Sequence, residues 1–216
     1  MTQIDTKIRD KLSSLKEGIT QSSFLNSLKN KEKIDKLLVV MLDCSYSMGD
    51  KMDDNSKIDT AWKVFQDKLE PNLNGWKYGI LCFGNDTNWF IFPTESPTLT
   101  NNIGPSLCGA TSLGLGLRTA WSYIKENAVG SRIILLTDGE PTDMPKSQIV
   151  VMAENNCSIP IDTVAIGEGT NYDPAFLRQL SKVTGGIFCE ATTVNKLLDI
   201  ITKLSPINRP LLGVVR

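Results

Sequence analysis

The sequence predicts an α/β fold: a doubly wound, mostly parallel six-stranded sheet with helices on both faces and one short antiparallel edge strand. Three observations point there. From residue 36 onward, short apolar runs alternate with amphipathic stretches of helical period. The runs are rich in Ile, Val, Leu and Phe and lack polar alternation, as in strands covered on both faces. Glycines and prolines stand where such elements should begin and end.

In chain order, strands are expected at 37–42, 77–83, 89–92, 133–137, 160–166 and 186–190. Ile58, Ala61, Trp62, Phe65 and Leu69 form one helical stripe, and Leu113, Leu117, Ala120, Trp121, Ile124 and Ala128 form another. Residues 84–88, Gly-Asn-Asp-Thr-Asn, predict a hairpin turn into the edge strand. Pro145 falls in the first turn of a third helix. Asp173 is placed as the N-cap of a fourth, with Pro174 behind it. Gly130 and Gly185 occupy positions that follow helix C-termini, and Pro206 closes the last helix after Leu204. Two appendages flank residues 36–204. Residues 1–35 carry Ile4, Ile8, Leu12, Leu15 and Ile19 at helical spacing, and residues 205–216 form an apolar, proline-interrupted tail of extended character.

Composition excludes several function classes. The net charge of −1 gives no global attraction to nucleic acid. The N-terminus is polar, unlike a secretory signal, and no apolar stretch nears the roughly 20 residues needed to span a bilayer, so a cytoplasmic protein without membrane contact is expected. The five cysteines (Cys44, Cys82, Cys108, Cys157 and Cys189) are odd in number, widely spaced and without a CxxC motif, which suits a reducing compartment. Cys82, Cys157 and Cys189 fall in or beside expected strands and are read as small apolar fillers. Histidine is absent, which removes a Ser-His-Asp triad, a Cys-His pair and imidazole-ligated zinc.

The chemistry concentrates in three segments. Asp43-Cys44-Ser45-Tyr46-Ser47 sits where the first strand ends; Thr111 lies in the glycine-containing loop before the second helical stripe; Asp138 lies in Thr137-Asp138-Gly139, where the fourth strand ends. In a doubly wound sheet, sites form beyond the carboxyl ends of strands, where strand order reverses. The first and fourth strands would be neighbours there, so Asp43 and Asp138 can face each other with Thr111 above. Two carboxylates and three hydroxyls form an oxygen-only set suited to a hard divalent ion such as Mg²⁺, with Mn²⁺ or Ca²⁺ as alternatives. An octahedral ion held there would keep positions for water or for an outside carboxylate.

This Asp-x-Ser-x-Ser, Thr and Thr-Asp-Gly series resembles the von Willebrand factor type A (VWA) family with a complete metal-ion-dependent adhesion site. The similarity extends over about residues 36–204. The resemblance implies a Rossmann-like fold, no catalysis, and a protein-interaction module that grips a partner's Glu or Asp through the metal. It implies that Ser45, Ser47 and Thr111 contact the ion directly and that Asp43 and Asp138 act mainly through water. Tyr46, Glu140 and Asp143 would form the partner-binding rim. In size the chain is similar to stand-alone bacterial cytoplasmic members of tellurium-resistance and stress operons. One departure is the long acidic loop 49–55, where Asp53 and Asp54 can colour partner choice.

A competing expectation is a Mg²⁺-dependent phosphotransferase resembling the haloacid dehalogenase superfamily, with Asp43 as nucleophile. That chemistry needs a second acid two residues on, to protonate the leaving group, and this sequence has Ser45 there. Gly109, Gly114 and Gly116 match neither phosphate-loop pattern and are read as sites of close helix–sheet packing. Cys44 and Cys108 are read as buried spacers, and Glu140 and Asp143 also favour the start of the helix near Pro145.

Overall fold

The computed structural model describes residues 37–73, 76–94, 104–124, 130–168 and 171–205. The chain divides into two units, Met1–Ile34 and Asp35–Arg216. The expected N-terminal helix, Ala128, Pro206 and the C-terminal tail lie outside the described residues.

The main sheet has six strands: β1 (Leu37–Asp43), β4 (Lys77–Phe83), β5 (Thr87–Thr94), β6 (Arg132–Thr137), β7 (Ile161–Ile166) and β8 (Phe188–Ala191). Their spatial order is β5-β4-β1-β6-β7-β8. All neighbours are parallel except β4 and β5, which pair antiparallel through the hairpin at 84–86. The edge strand is not short. At eight residues β5 is the longest in the sheet, and its pairing with β4 shifts register near Ile80. The acidic loop holds a second, two-stranded ribbon of β2 (Lys51–Met52) and β3 (Asn55–Ser56), which the sequence does not announce.

Strand β1 shows why the fold forms. All seven of its residues are buried, and their alternation divides the core. Leu38, Val40 and Leu42 point into one apolar layer with helices α1 (Lys57–Val64) and α5 (Val194–Leu204). Leu37, Val39 and Met41 point into the other, with α2 (Leu113–Ile124), α3 (Lys146–Glu154) and α4 (Pro174–Val183). A strand apolar on both faces is stable only with helices on both sides. Trp62, Trp76 and Trp121 are buried and Trp89 half-buried.

Most punctuation acts as expected. Asp173 caps α4 by accepting from the backbone N–H groups of Ala175 and Phe176. Gly130 and Gly185 have positive φ. Pro145 stands one residue earlier than expected, at the N-cap of α3. Cys157 lies in an exposed turn after α3 and fills no strand. Helix α1 does not run through its whole stripe, because Phe65–Leu69 widen into a π-turn that still buries Phe65 and Leu69.

The topology fixes where a site forms. β1 lies between β4 and β6 and runs parallel to both, so the chain leaves β1 toward β4 and leaves β6 the opposite way, toward β7. The loops beyond Asp43 and Thr137 are thereby set side by side.

A candidate metal centre

Asp43, the last residue of β1, is wholly buried. One carboxylate oxygen accepts from the backbone N–H of Ser45 at 2.9 Å and the other from the Thr137 hydroxyl. Burial pushes the carboxyl up to about 6, against these two hydrogen bonds, which pull it down. Ser45 precedes a single 3-10 turn, Tyr46–Gly49, that contains Ser47, and the two hydroxyls lie 3.0 Å apart.

The Ser47 hydroxyl donates to Asp138 Oδ1 at 2.7 Å. A hydroxyl that gives its proton to a carboxylate keeps its lone pairs for another acceptor of electrons, such as a cation. Asp138 is also fully buried, and its second oxygen receives the ammonium of Lys57 at 2.7 Å. Thr111 is buried on the facing loop. Gly139 shows how near these groups stand. A Cβ placed there would lie 3.0 Å from Thr111 Oγ1 and 3.7 Å from Asp43 Oδ2.

The supporting shell ties the three segments together. Cys44 donates its backbone N–H to Phe83 and accepts from that of Cys108, while Tyr46 N–H reaches the Gly109 carbonyl. Gly109 has φ 89° and turns the loop, so it serves conformation and not helix–sheet packing. Gly116 does serve helix–sheet packing, since a Cβ there would meet Met41 and Phe83 within 3.2 Å, whereas at Gly114 it would meet Asp143 and Met144 of the loop after β6. Thr111 and Thr142 form a double strap, Thr111 N–H to the Thr142 hydroxyl and Thr142 N–H to the Thr111 carbonyl.

The rim residues divide. Tyr46 is 72% exposed beside the serines. Glu140 is exposed and pairs with Lys146 at 3.0 Å. Asp143 gives both oxygens to the N–H groups of Gly114 and Leu115, so it caps α2 and not the helix start at Pro145. Asp53, the described non-glycine residue with positive φ, turns the β2–β3 ribbon and accepts from Val194 N–H at the start of α5.

Among the described residues, no group of three or more Cys, Asp or Glu is placed to hold a metal. The oxygen atoms that these three segments bring close together are those of the Asp43 and Asp138 carboxylates and the Ser45, Ser47 and Thr111 hydroxyls. This set is hard, all-oxygen and close-set, which fits Mg²⁺ or a similar ion. Sequence reasoning missed Lys57 and the anchoring hydroxyl of Thr137. A usable signal for Lys57 was a cation at the first residue of a helix, where acidic side chains are favoured.

Comparison with known proteins agrees with this fold. Residues 38–140 match the model of the von Willebrand factor type A domain, a family of protein-interaction modules that are generally not enzymes. The six-stranded, mostly parallel sheet with helices on both faces is the Rossmann-like fold of that domain. The BatB protein of Bacteroides thetaiotaomicron superposes with a TM-score of 0.63 at 22% identity, covering 77% of this chain and 95% of that one. Proximal thread matrix protein 1 from the mussel byssus, solved with zinc in its adhesion motif, gives a TM-score of 0.56 at 15% identity over 78% of this chain and 45% of that one. In sequence, calcium-activated chloride channel regulator 1 of Sus scrofa is 36% identical over 120 residues, 53% of this chain and 12% of the regulator's length. Among the described residues no helix is long and apolar enough to cross a membrane.

Proposed function

We propose that this protein binds a partner protein through a divalent ion, Mg²⁺ in the first instance, held by Ser45, Ser47 and Thr111 with Asp43 and Asp138 behind them. The observation that carries the reading is the direction of the hydrogen bonds. Ser47 gives its proton to Asp138, and Asp43 is fixed by Ser45 N–H and Thr137, so the carboxylates orient the loop while the hydroxyl lone pairs remain for an ion. A bound ion would supply a Lewis-acidic position for a carboxylate from outside. Tyr46 and Glu140 stand exposed beside it, available to a partner that presents Glu or Asp. Asp143 shapes the rim by holding α2 in place. The free thiols of the five cysteines favour a reducing, cytoplasmic setting, and a stress or regulatory assembly is the context that the family resemblance suggests.

Phosphotransfer gains no support from the geometry. Ser45 occupies the position where the leaving-group acid would stand, and both oxygens of Asp43 are engaged. The test is thermal stabilisation by Mg²⁺ followed in the wild type, Asp43→Ala and Thr111→Ala. We expect Mg²⁺ to raise the wild-type melting temperature and to leave both variants unmoved while each still unfolds cooperatively. An equal metal response in all three proteins removes this reading.

A further inference from the structure

We infer that Lys57 sets the charge of this metal site and thereby makes a carboxylate from the partner part of its design. The inference rests on the proposed metal-dependent binding and specifies why an acidic group completes it.

Lys57 is placed against local preference. It is the first residue of α1, where the helix dipole disfavours a cation, and its side chain is only 7% exposed. Burying an ammonium is costly unless it is paired and hydrogen-bonded. The chain nevertheless builds a slot for it. Gly167, at the end of β7 with φ 93°, leaves room for the stem, since a Cβ there would sit 3.0 Å from Lys57 Cε. At the head, Nζ bonds Asp138 Oδ2 at 2.7 Å and the Ser47 carbonyl at 3.3 Å. The exposed Asp50 lies 3.5 Å away, where solvent screens it. A violation of local rules that the surroundings accommodate this closely marks a functional position.

The consequence is a matter of charge. Asp43 and Asp138 alone would neutralise a divalent ion and leave little demand for another anion. With the Lys57 ammonium included, the protein groups carry a single net negative charge, and a bound divalent ion leaves the site one unit positive. One carboxylate from outside restores neutrality in a buried setting where unbalanced charge is expensive. Lys57 therefore weakens the grip on the ion itself and strengthens the demand for an acidic side chain. It is a positioning residue, acting through Asp138.

The test titrates Mg²⁺ calorimetrically into the full chain and into Lys57→Met, Lys57→Gln and Lys57→Arg, then acetate into each Mg²⁺-loaded protein. The neutral variants should bind Mg²⁺ about tenfold more tightly and acetate several-fold more weakly, while Lys57→Arg stays near the wild type in both. A merely structural lysine does not move the two affinities in opposite directions. If Lys57→Met fails to fold, Lys57→Gln, which keeps a hydrogen-bond donor, carries the test. Any other pattern in a folded neutral variant overturns the inference, as does failure of both neutral variants to fold with or without Mg²⁺. Unchanged Mg²⁺ affinity across the series removes the role of Lys57 but leaves the metal site standing; no Mg²⁺ binding by any of the four proteins removes both.

Discussion

Asp43 holds its charge in a place that favours the proton, and the effect on stability has a definite sign. Its folded carboxyl sits near 6 because of burial, above the ordinary value of 3.8 in the unfolded chain. Between those values the folded protein binds more protons than the unfolded one, so stability without metal falls as pH rises from about 4 to about 6. Relative to Asp43→Asn, chelator-treated wild type should lose about 2–3 kcal/mol over that window, measured by urea denaturation at fixed pH values. Excess Mg²⁺ should reverse the trend, because the ion must displace the proton. A pH-independent difference between the two proteins would contradict this account of Asp43. The same residue shows what the sequence discloses about a site. Asp43, Ser45, Ser47, Thr111 and Asp138 could be picked out from residue types and spacing, and the structure brings their loops together. The Lys57–Asp138 pair spans 81 positions and depends on how α1 leaves the β2–β3 ribbon, which no local pattern encodes.

The start of helix α2 is capped from a distance by Asp143, whose two oxygens accept from the N–H groups of Gly114 and Leu115, 29 and 28 residues upstream. Replacing a capping aspartate by alanine removes acceptors from otherwise unpaired N–H groups at the helix start. Asp143→Ala should cost about 1 kcal/mol by urea denaturation and should also weaken the Mg²⁺ response, since Thr111 lies two residues before α2. A loss of stability with an unaltered metal response would separate the helix from the site. The element-scale lesson is uneven. Strands buried on both faces announce themselves through continuous apolar runs, and α4 through Asp173 and Pro174. The β2–β3 ribbon is made of Lys51, Met52, Asn55 and Ser56, which have little strand preference. It is held by tertiary contacts, including the bond from Val194 N–H to Asp53, and so escapes a reading from composition.

Across the whole molecule, thiol accessibility reports how the layers close around the site. Cys157 is exposed on the turn after α3, whereas Cys44 lies wholly buried between Asp43 and Ser45. The Cys44 thiol is pushed far up, first by its hydrogen bond to Cys82 and then by burial, and burial raises Cys108 as well. Brief alkylation of the native protein, read by peptide mass spectrometry, should therefore mark Cys157 first and Cys44 last. Early labelling of Cys44 would mean that the site loops open freely. They have reason not to. The two backbone-mediated bonds between Thr111 and Thr142 join the loop before α2 to the loop after β6, and Asp143 fastens the second of these to the helix itself. The parts are thus pinned at both ends like the links of a hinge plate, with α2 as its arm. A displacement of the turn around Asp138 is thereby coupled to that helix, as it is to α1 through Lys57.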